Sequence, residues 1–286
     1  MNVMMLLEMA ASGFGDRTAL GSRDGTGITY AELYRRAGAA AAHFGESDAE
    51  RVALIDISSP ALPVALFGSA WAGKPFVPLN YRLTAEELRS LGGQVAPAVA
   101  IVNADTAVTV GEIEGVLHLQ REEFLGSVTD ADAPEPSWGM DPEEIAILLF
   151  TSGTTGAPKA AVLRHKHLVS YILGSVEFMG AGEDEATLVS VPPYHIAGMA
   201  ALCSSVYAGR RIVQLANFDA DTWIDLARAE EITHALKFLE FVLDRGAGVE
   251  LGAIAAPAQD FASPLEVFQD ALAQEEAVTT SINELY

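Results

Sequence analysis

The hydrophobic positions of this chain fall into two kinds of run. Short continuous apolar stretches recur at Arg51-Val-Ala-Leu-Ile-Asp56, Phe76-Val-Pro-Leu79, Ala98-Val-Ala-Ile-Val102, Ile145-Ala-Ile-Leu-Leu-Phe150, Ala160-Ala-Val-Leu163 and Thr187-Leu-Val-Ser-Val191. Runs of this length predict strands, those at 145–150 and 187–191 buried ones. Between them lie longer segments with helical signals. Residues 2–12 predict a helix ending near Gly13, and Thr29-Tyr-Ala-Glu32 and Thr84-Ala-Glu-Glu87 have the capping-box spacing. Pro60 to Ala72 predicts a small-residue helix packed on both sides, and His165 to Met179 an amphipathic one. Ala19-Leu20 and Ile28-Thr29-Tyr30 predict two strands around the turn Ser22–Gly27. Strand, helix and strand alternate with short connections, so the expected fold class is α/β, parallel or mixed sheets flanked by helices.

The pattern changes near the end. Trp223 to Arg245 reads as one long helix closed by Gly246, and Ser263-Pro-Leu-Glu266 as a strong start for another. Leu265, Phe268, Leu272 and Ile282 form an apolar stripe on that second helix. Stripes of this kind predict self-association.

Composition narrows the picture. The 286 residues are half hydrophobic and carry a net charge of −22, from 17 basic and 39 acidic residues. Such acidity argues against nucleic acid or an anionic membrane as partner. Any phosphate ligand would have to be held by local donors. Cys203 is the only cysteine, which excludes an internal disulfide and a multi-cysteine zinc site. It falls in an apolar, small-residue segment and reads as a packed thiol. The start, Met1-Asn-Val-Met-Met-Leu-Leu-Glu8, has no basic residue, and no apolar run reaches the roughly 18 residues of a membrane span. A cytoplasmic protein is the expectation.

Candidate chemistry gathers in Thr151-Ser-Gly-Thr-Thr-Gly-Ala-Pro-Lys159, directly after the strand at 145–150. Gly153 and Gly156 permit backbone N–H groups to converge on an anion. Thr151, Ser152, Thr154 and Thr155 add hydroxyls, and Lys159 a point charge. The lysine does not follow a glycine directly, so this is not the P-loop pattern. A second stretch, Pro192-Pro-Tyr-His-Ile-Ala-Gly198, follows the strand at 187–191, where open α/β sheets place ligands. His165 and His167 read as surface or capping residues.

The nine residues 151–159 resemble the phosphate-binding signature of the adenylate-forming (AMP-binding) enzymes, the superfamily of acyl-CoA synthetases, luciferases and peptide-synthetase adenylation domains. Ala160 departs from the glycine usual there. Asp16-Arg-Thr-Ala-Leu20 and Phe76-Val-Pro-Leu-Asn-Tyr-Arg-Leu-Thr84 are similar to the same family, and the likeness runs to about residue 234. It implies that ATP binds with its phosphates on Thr151, Ser152, Gly153, Thr154, Thr155, Gly156 and Lys159, with Mg²⁺ bridging them beside Thr154. It places His195, with Tyr194 next to it, by the carboxylate of the acid. The implied reaction activates a carboxylic acid, fatty acids being the expected class, to an acyl adenylate and then a coenzyme A thioester. Beyond residue 234 the adenine pocket, the ribose acid and the small domain with the catalytic lysine are not recognisable. The expected domain at 1–234 is therefore a truncated one, with little or no ligase activity.

Glu230-Glu-Ile-Thr-His-Ala-Leu-Lys-Phe-Leu239 resembles the end of the second ferritin helix, and Ser263 to Tyr286 much of the third. On that likeness residues 235–286 form a ferritin-like fragment, and Glu231, His234 and Glu275 fall on iron ligands. The other ferritin helices have no counterpart, so a working iron site is not expected. A composite chain joined within Glu230–Ala235 accounts for both likenesses. The alternatives are an iron-binding ferritin-like protein and a non-catalytic phosphate-binding domain.

Overall fold

In the six-stranded sheet of the computed structural model, successive residues of one strand feed two different cores. The structure describes residues 1–22, 25–135, 137–151, 158–227 and single positions between 243 and 280. The chain divides into two compact units, Met1–Thr233 and His234–Tyr286; the elements below belong to the first. In chain order they are α1 (Met4–Phe14), β1 (Thr18–Gly21), β2 (Gly27–Thr29), α2 (Tyr30–Gly45), β3 (Arg51–Ile55), α3 (Ala61–Trp71), β4 (Phe76–Pro78), α4 (Ala85–Val95) and β5 (Ala98–Val102). Then come α5 (Ala104–Val110), β6 (Val116–Gln120), α6 (Arg121–Thr129), β7 (Ile145–Thr151), β8 (Lys159–Arg164), α7 (His165–Ser175), β9 (Ala186–Val189), α8 (Ile196–Ala208) and β10 (Arg211–Gln214).

The larger sheet has the order β6-β5-β3-β4-β7-β8, parallel except for β8, which runs antiparallel to β7. Val52 and Leu54 of β3 pack into one core with Phe76, Val99, Ile101 and helices α2, α3 and α6. Ala53 and Ile55 point the other way, with Val77, Ala100 and Val102, against Leu88, Leu91 and Val95 of α4. Because neighbouring side chains alternate across a sheet, both faces need cover, and that is why these strands read as unbroken apolar runs. The smaller sheet has the order β2-β1-β10-β9, with β2 antiparallel and the rest parallel. Its Leu20, Val189 and Ile212 join the first core.

α3 is buried along its whole length, as expected of a helix apolar all round. Gly68 makes its closest approach: a Cβ there would lie 2.7 Å from the Ala40 Cβ of α2 and 3.0 Å from the Ala37 carbonyl oxygen. A long-range tie and a local helix cap position the small sheet. The buried Tyr30 hydroxyl donates to the Arg210 carbonyl at 2.6 Å. α8 ends on Gly209 in the left-handed conformation (φ 83°), its N–H donating to the Ser205 and Val206 carbonyls.

Several expectations need correction. α5, β6 and α6 were not anticipated, because each buries little: only Val110 of α5, and Phe124 and Val128 of α6, are buried. α7 stops at Ser175 rather than Met179. The Thr84 capping box forms in full. At Thr29 only half of it does: Thr29 accepts the Glu32 N–H at 3.1 Å, while the Glu32 carboxylate turns to Arg36. His167 caps α7 by accepting the Arg164 N–H at 3.2 Å. His165 is not a surface residue; it is 2 % exposed and its Nδ1 accepts the Val3 N–H at 3.1 Å. A histidine at a helix start, read from sequence, carries no sign that the chain's first residues will cover it. Cys203 is fully buried, and burial pushes its thiol up to about 12, as a packed thiol requires.

Candidate active site

The hairpin of β7 and β8 organises the site. Thr151 is the last residue of β7 and stands opposite Lys159, the first of β8. The segment between them is thus a connection whose two ends are held side by side by strand pairing. Ser152, Gly153, Thr154, Thr155 and Gly156 of the expected phosphate loop lie outside the described residues, as does the side chain of Thr151. Lys159 is exposed at the start of its strand.

A cavity of about 1120 Å³ opens beside this hairpin. One wall is Leu149 and Phe150 of β7 with Pro158, Ala161 and Leu163 of β8. A second wall is Tyr194, His195 and Ile196, at the turn into α8. The third is Asn80, Leu83 and the exposed side of α4, where Thr84, Glu86, Glu87 and Ser90 supply polar groups. The topology explains the meeting. β4 and β7 are neighbouring parallel strands, so the chain leaving each does so at the same edge of the sheet. Ligands of open α/β sheets bind outside the carboxyl ends of such strands.

His195 is exposed at the N-cap position of α8 and makes no side-chain capping bond. Its ring lies 4.6 Å from that of Tyr194, which in turn meets Tyr81 edge-on at 5.7 Å. Burial raises the Tyr81 phenol above its ordinary value; the Arg82 guanidinium, 5.4 Å from its ring, works the other way. On α4, the Thr84 N–H and hydroxyl both donate to Glu87 and lower that carboxyl.

Of the residues expected from sequence, the structure brings His195 and both flanks of the loop around one cavity. Glu231, His234 and Glu275 lie outside the described residues. Among the described residues no group of three or more His, Cys, Asp or Glu could hold a metal ion. Sequence reasoning passed over Tyr81 and the α4 wall. The available signal was position: Asn80-Tyr-Arg82 follows a strand end on the ligand-binding edge of a parallel sheet. No helix among the described residues is long and apolar enough to cross a membrane.

Known structures share this architecture. A fatty acyl CoA synthetase of Mycobacterium tuberculosis superposes with a TM-score of 0.66 at 21 % identity, covering 79 % of this chain and 47 % of the other. ATP-bound MatB from Rhodopseudomonas palustris gives 0.64 at 28 % identity, covering 79 % and 48 %. Among curated proteins, a feruloyl-CoA synthase of Amycolatopsis sp is 30 % identical over 213 residues, 73 % of this chain and 43 % of that protein. An indoleacetate–CoA ligase of Aromatoleum aromaticum is 28 % identical over 224 residues, covering 72 % and 44 %. The chain therefore spans less than half the length of these curated relatives. The match to the family described as AMP-binding enzyme covers residues 7–265. It passes the expected end at 234 and so gives no support to a ferritin-like segment beginning at 235. With its α/β fold, two mixed sheets and flanking helices, the chain belongs to the AMP-binding enzyme family.

Proposed function

We propose that this chain carries the phosphate- and acid-binding part of an acid-activating, adenylate-forming ligase. One observation carries the reading: the strands that flank Ser152–Ala157 and the His195 turn share the walls of a single cavity. ATP would place its phosphates on the loop from Thr151 to Lys159, with backbone N–H groups and hydroxyls as donors and Lys159 as point charge. Mg²⁺, where present, would neutralise phosphate charge, held by phosphate oxygens beside Thr154.

The acid would lie against the apolar floor of Leu149, Phe150 and Leu163, its carboxylate towards His195. A carboxylate oxygen attacks the α-phosphorus; the new P–O bond displaces pyrophosphate and leaves an acyl adenylate. The sulfur of a thiol such as coenzyme A then attacks the acyl carbonyl and AMP departs. Fixed donors facing the developing charge, and positioning, would supply the rate gain. A fatty or aryl body suits the apolar walls, and the relatives include a feruloyl-CoA synthase and an indoleacetate–CoA ligase.

The test is nucleotide binding by calorimetry, followed by ATP–pyrophosphate exchange with octanoate and benzoate. ATP binding that is lost in Lys159→Ala is expected. ATP binding unchanged by that substitution would sink the assignment of the loop. Binding without exchange would favour the non-catalytic phosphate-binding alternative. For the segment from about residue 230 to 286 the ferritin-like reading is a second proposal; it predicts Fe²⁺ binding that is lost in Glu231→Ala and in His234→Ala.

A further inference from the structure

We propose that Tyr81 is a positioning residue for His195, acting through Tyr194 and held in place by Asn217. The proposal rests on the reading of His195 given above as the group facing the acid. Three separate segments meet here: the turn after β4, the turn between β9 and α8, and the segment after β10. The Tyr81 hydroxyl donates to the Asn217 Oδ1 at 3.0 Å. Its ring meets Tyr194 edge-on at 5.7 Å with 69° between planes, and Tyr194 meets His195 at 4.6 Å. Arg82 lies over the Tyr81 ring at 5.4 Å.

The geometry assigns the direction of influence. Tyr194 and His195 line the cavity, whereas Tyr81 does not. Tyr81 therefore acts on a bound acid only through Tyr194. His195 is exposed and has no side-chain capping bond, so the Tyr194 ring, tilted 47° against it at 4.6 Å, sets where its imidazole points. Edge-to-face pairs have a preferred geometry, because the positive edge of one ring seeks the negative face of the other. A phenol fixed at its hydroxyl end cannot rotate freely, so the Asn217 bond makes the pair directional.

The experiment reads the His195 ring signals by heteronuclear NMR, assigned through His195→Gln, together with the affinities of sodium octanoate and sodium benzoate. Tyr81→Ala should move the His195 signals while those of His43 and His167 stay in place, and should weaken probe binding about three- to tenfold. Tyr81→Phe keeps the edge-on ring and should recover most of that loss. Tyr81→Phe and Asn217→Ala remove the same hydrogen bond, so the double variant should shift the signals no further than either alone. His195 signals unmoved in a folded Tyr81→Ala would overturn the proposal. So would Phe behaving like Ala, or effects of the two single variants that add. Should Tyr81→Ala fail to fold, the additivity of the other two variants decides. If the unaltered protein binds neither probe and Tyr81→Ala still moves the His195 signals, the positioning stands and the acid-binding reading falls.

Discussion

The Nδ1 of His165 accepts the Val3 N–H at 3.1 Å within a pocket that leaves the ring 2 % exposed. Burial, and after it the charge of the α-amino group, lowers this histidine from 6.5 to about 4. Asp141 opposes the shift. The imidazole is neutral in the fold and takes up a proton on unfolding once the pH is below 6.5. Its contribution is thus fully present above that pH and declines as the pH falls towards 4. The loss should reach about 2 kcal/mol near pH 5. His165→Asn offers an acceptor to Val3 without a titrating ring. Urea unfolding at about pH 7.5 and about pH 5 should show a smaller difference for this variant than for the parent.

Asp56 is 1 % exposed at the end of β3 and is held by several donors. The Ile57 N–H lies at 2.8 Å, the Asn103 amide at 2.9 Å and the Arg121 guanidinium at 3.2 Å. Removing the cation leaves a buried carboxylate with only neutral donors. Arg121→Met should cost about 1–3 kcal/mol, below the full cost of stripping a buried charge because the Ile57, Asn103 and Ser59 donors remain. Asp56→Asn combined with Arg121→Met should cost less than the sum of the two single changes. Denaturant midpoints of the three variants check this, and strict additivity would contradict it.

Gly68 faces α2 so closely that an added methyl meets the Ala40 Cβ at 2.7 Å. The two nearest atoms, the Ala40 Cβ and the Ala37 carbonyl oxygen, are not ends of flexible side chains. Gly68→Ala should therefore destabilise by about 1–3 kcal/mol, despite the gain in helix propensity, as overpacking does. Gly93, where an added Cβ meets nothing within 4 Å, provides the control. Gly93→Ala should leave the melting temperature unchanged or raised.

Thr29 is the N-cap of α2 and accepts the Glu32 N–H at 3.1 Å. Thr29→Ala should cost about 1 kcal/mol, and Thr29→Ser much less. Thermal melts followed by circular dichroism distinguish the two. Equal losses would mean that the methyl group matters more than the hydroxyl.

Lys159 opens β8 opposite Thr151. On the proposed function Lys159→Ala should weaken ATP binding about 10- to 100-fold, the range for a lost hydrogen bond to a charged group. Lys166→Ala, at a surface pair with Glu143, should not. Isothermal titration of both variants makes the comparison.

What the sequence determined by itself was periodicity and local chemistry. The strands at 51–55, 76–78, 98–102 and 145–151 were legible because burial on both faces demands residues that are apolar throughout. The Thr84 cap was legible because its partners lie three residues apart. The order of residues 151–159 identified the family, since that chemistry sits within nine consecutive residues. Tertiary structure decided the rest. α5 and α6 exist because Asn103 caps one and Phe124 anchors the other, signals too small for a periodic pattern. His165 became a buried acceptor because Val3, far away in sequence, folds over it. Tyr81, Tyr194 and Asn217 lie on three segments that meet only when the strands before them lie within their sheets. Pairings between residues close in sequence leave a signature in spacing; pairings made by sheet order leave none.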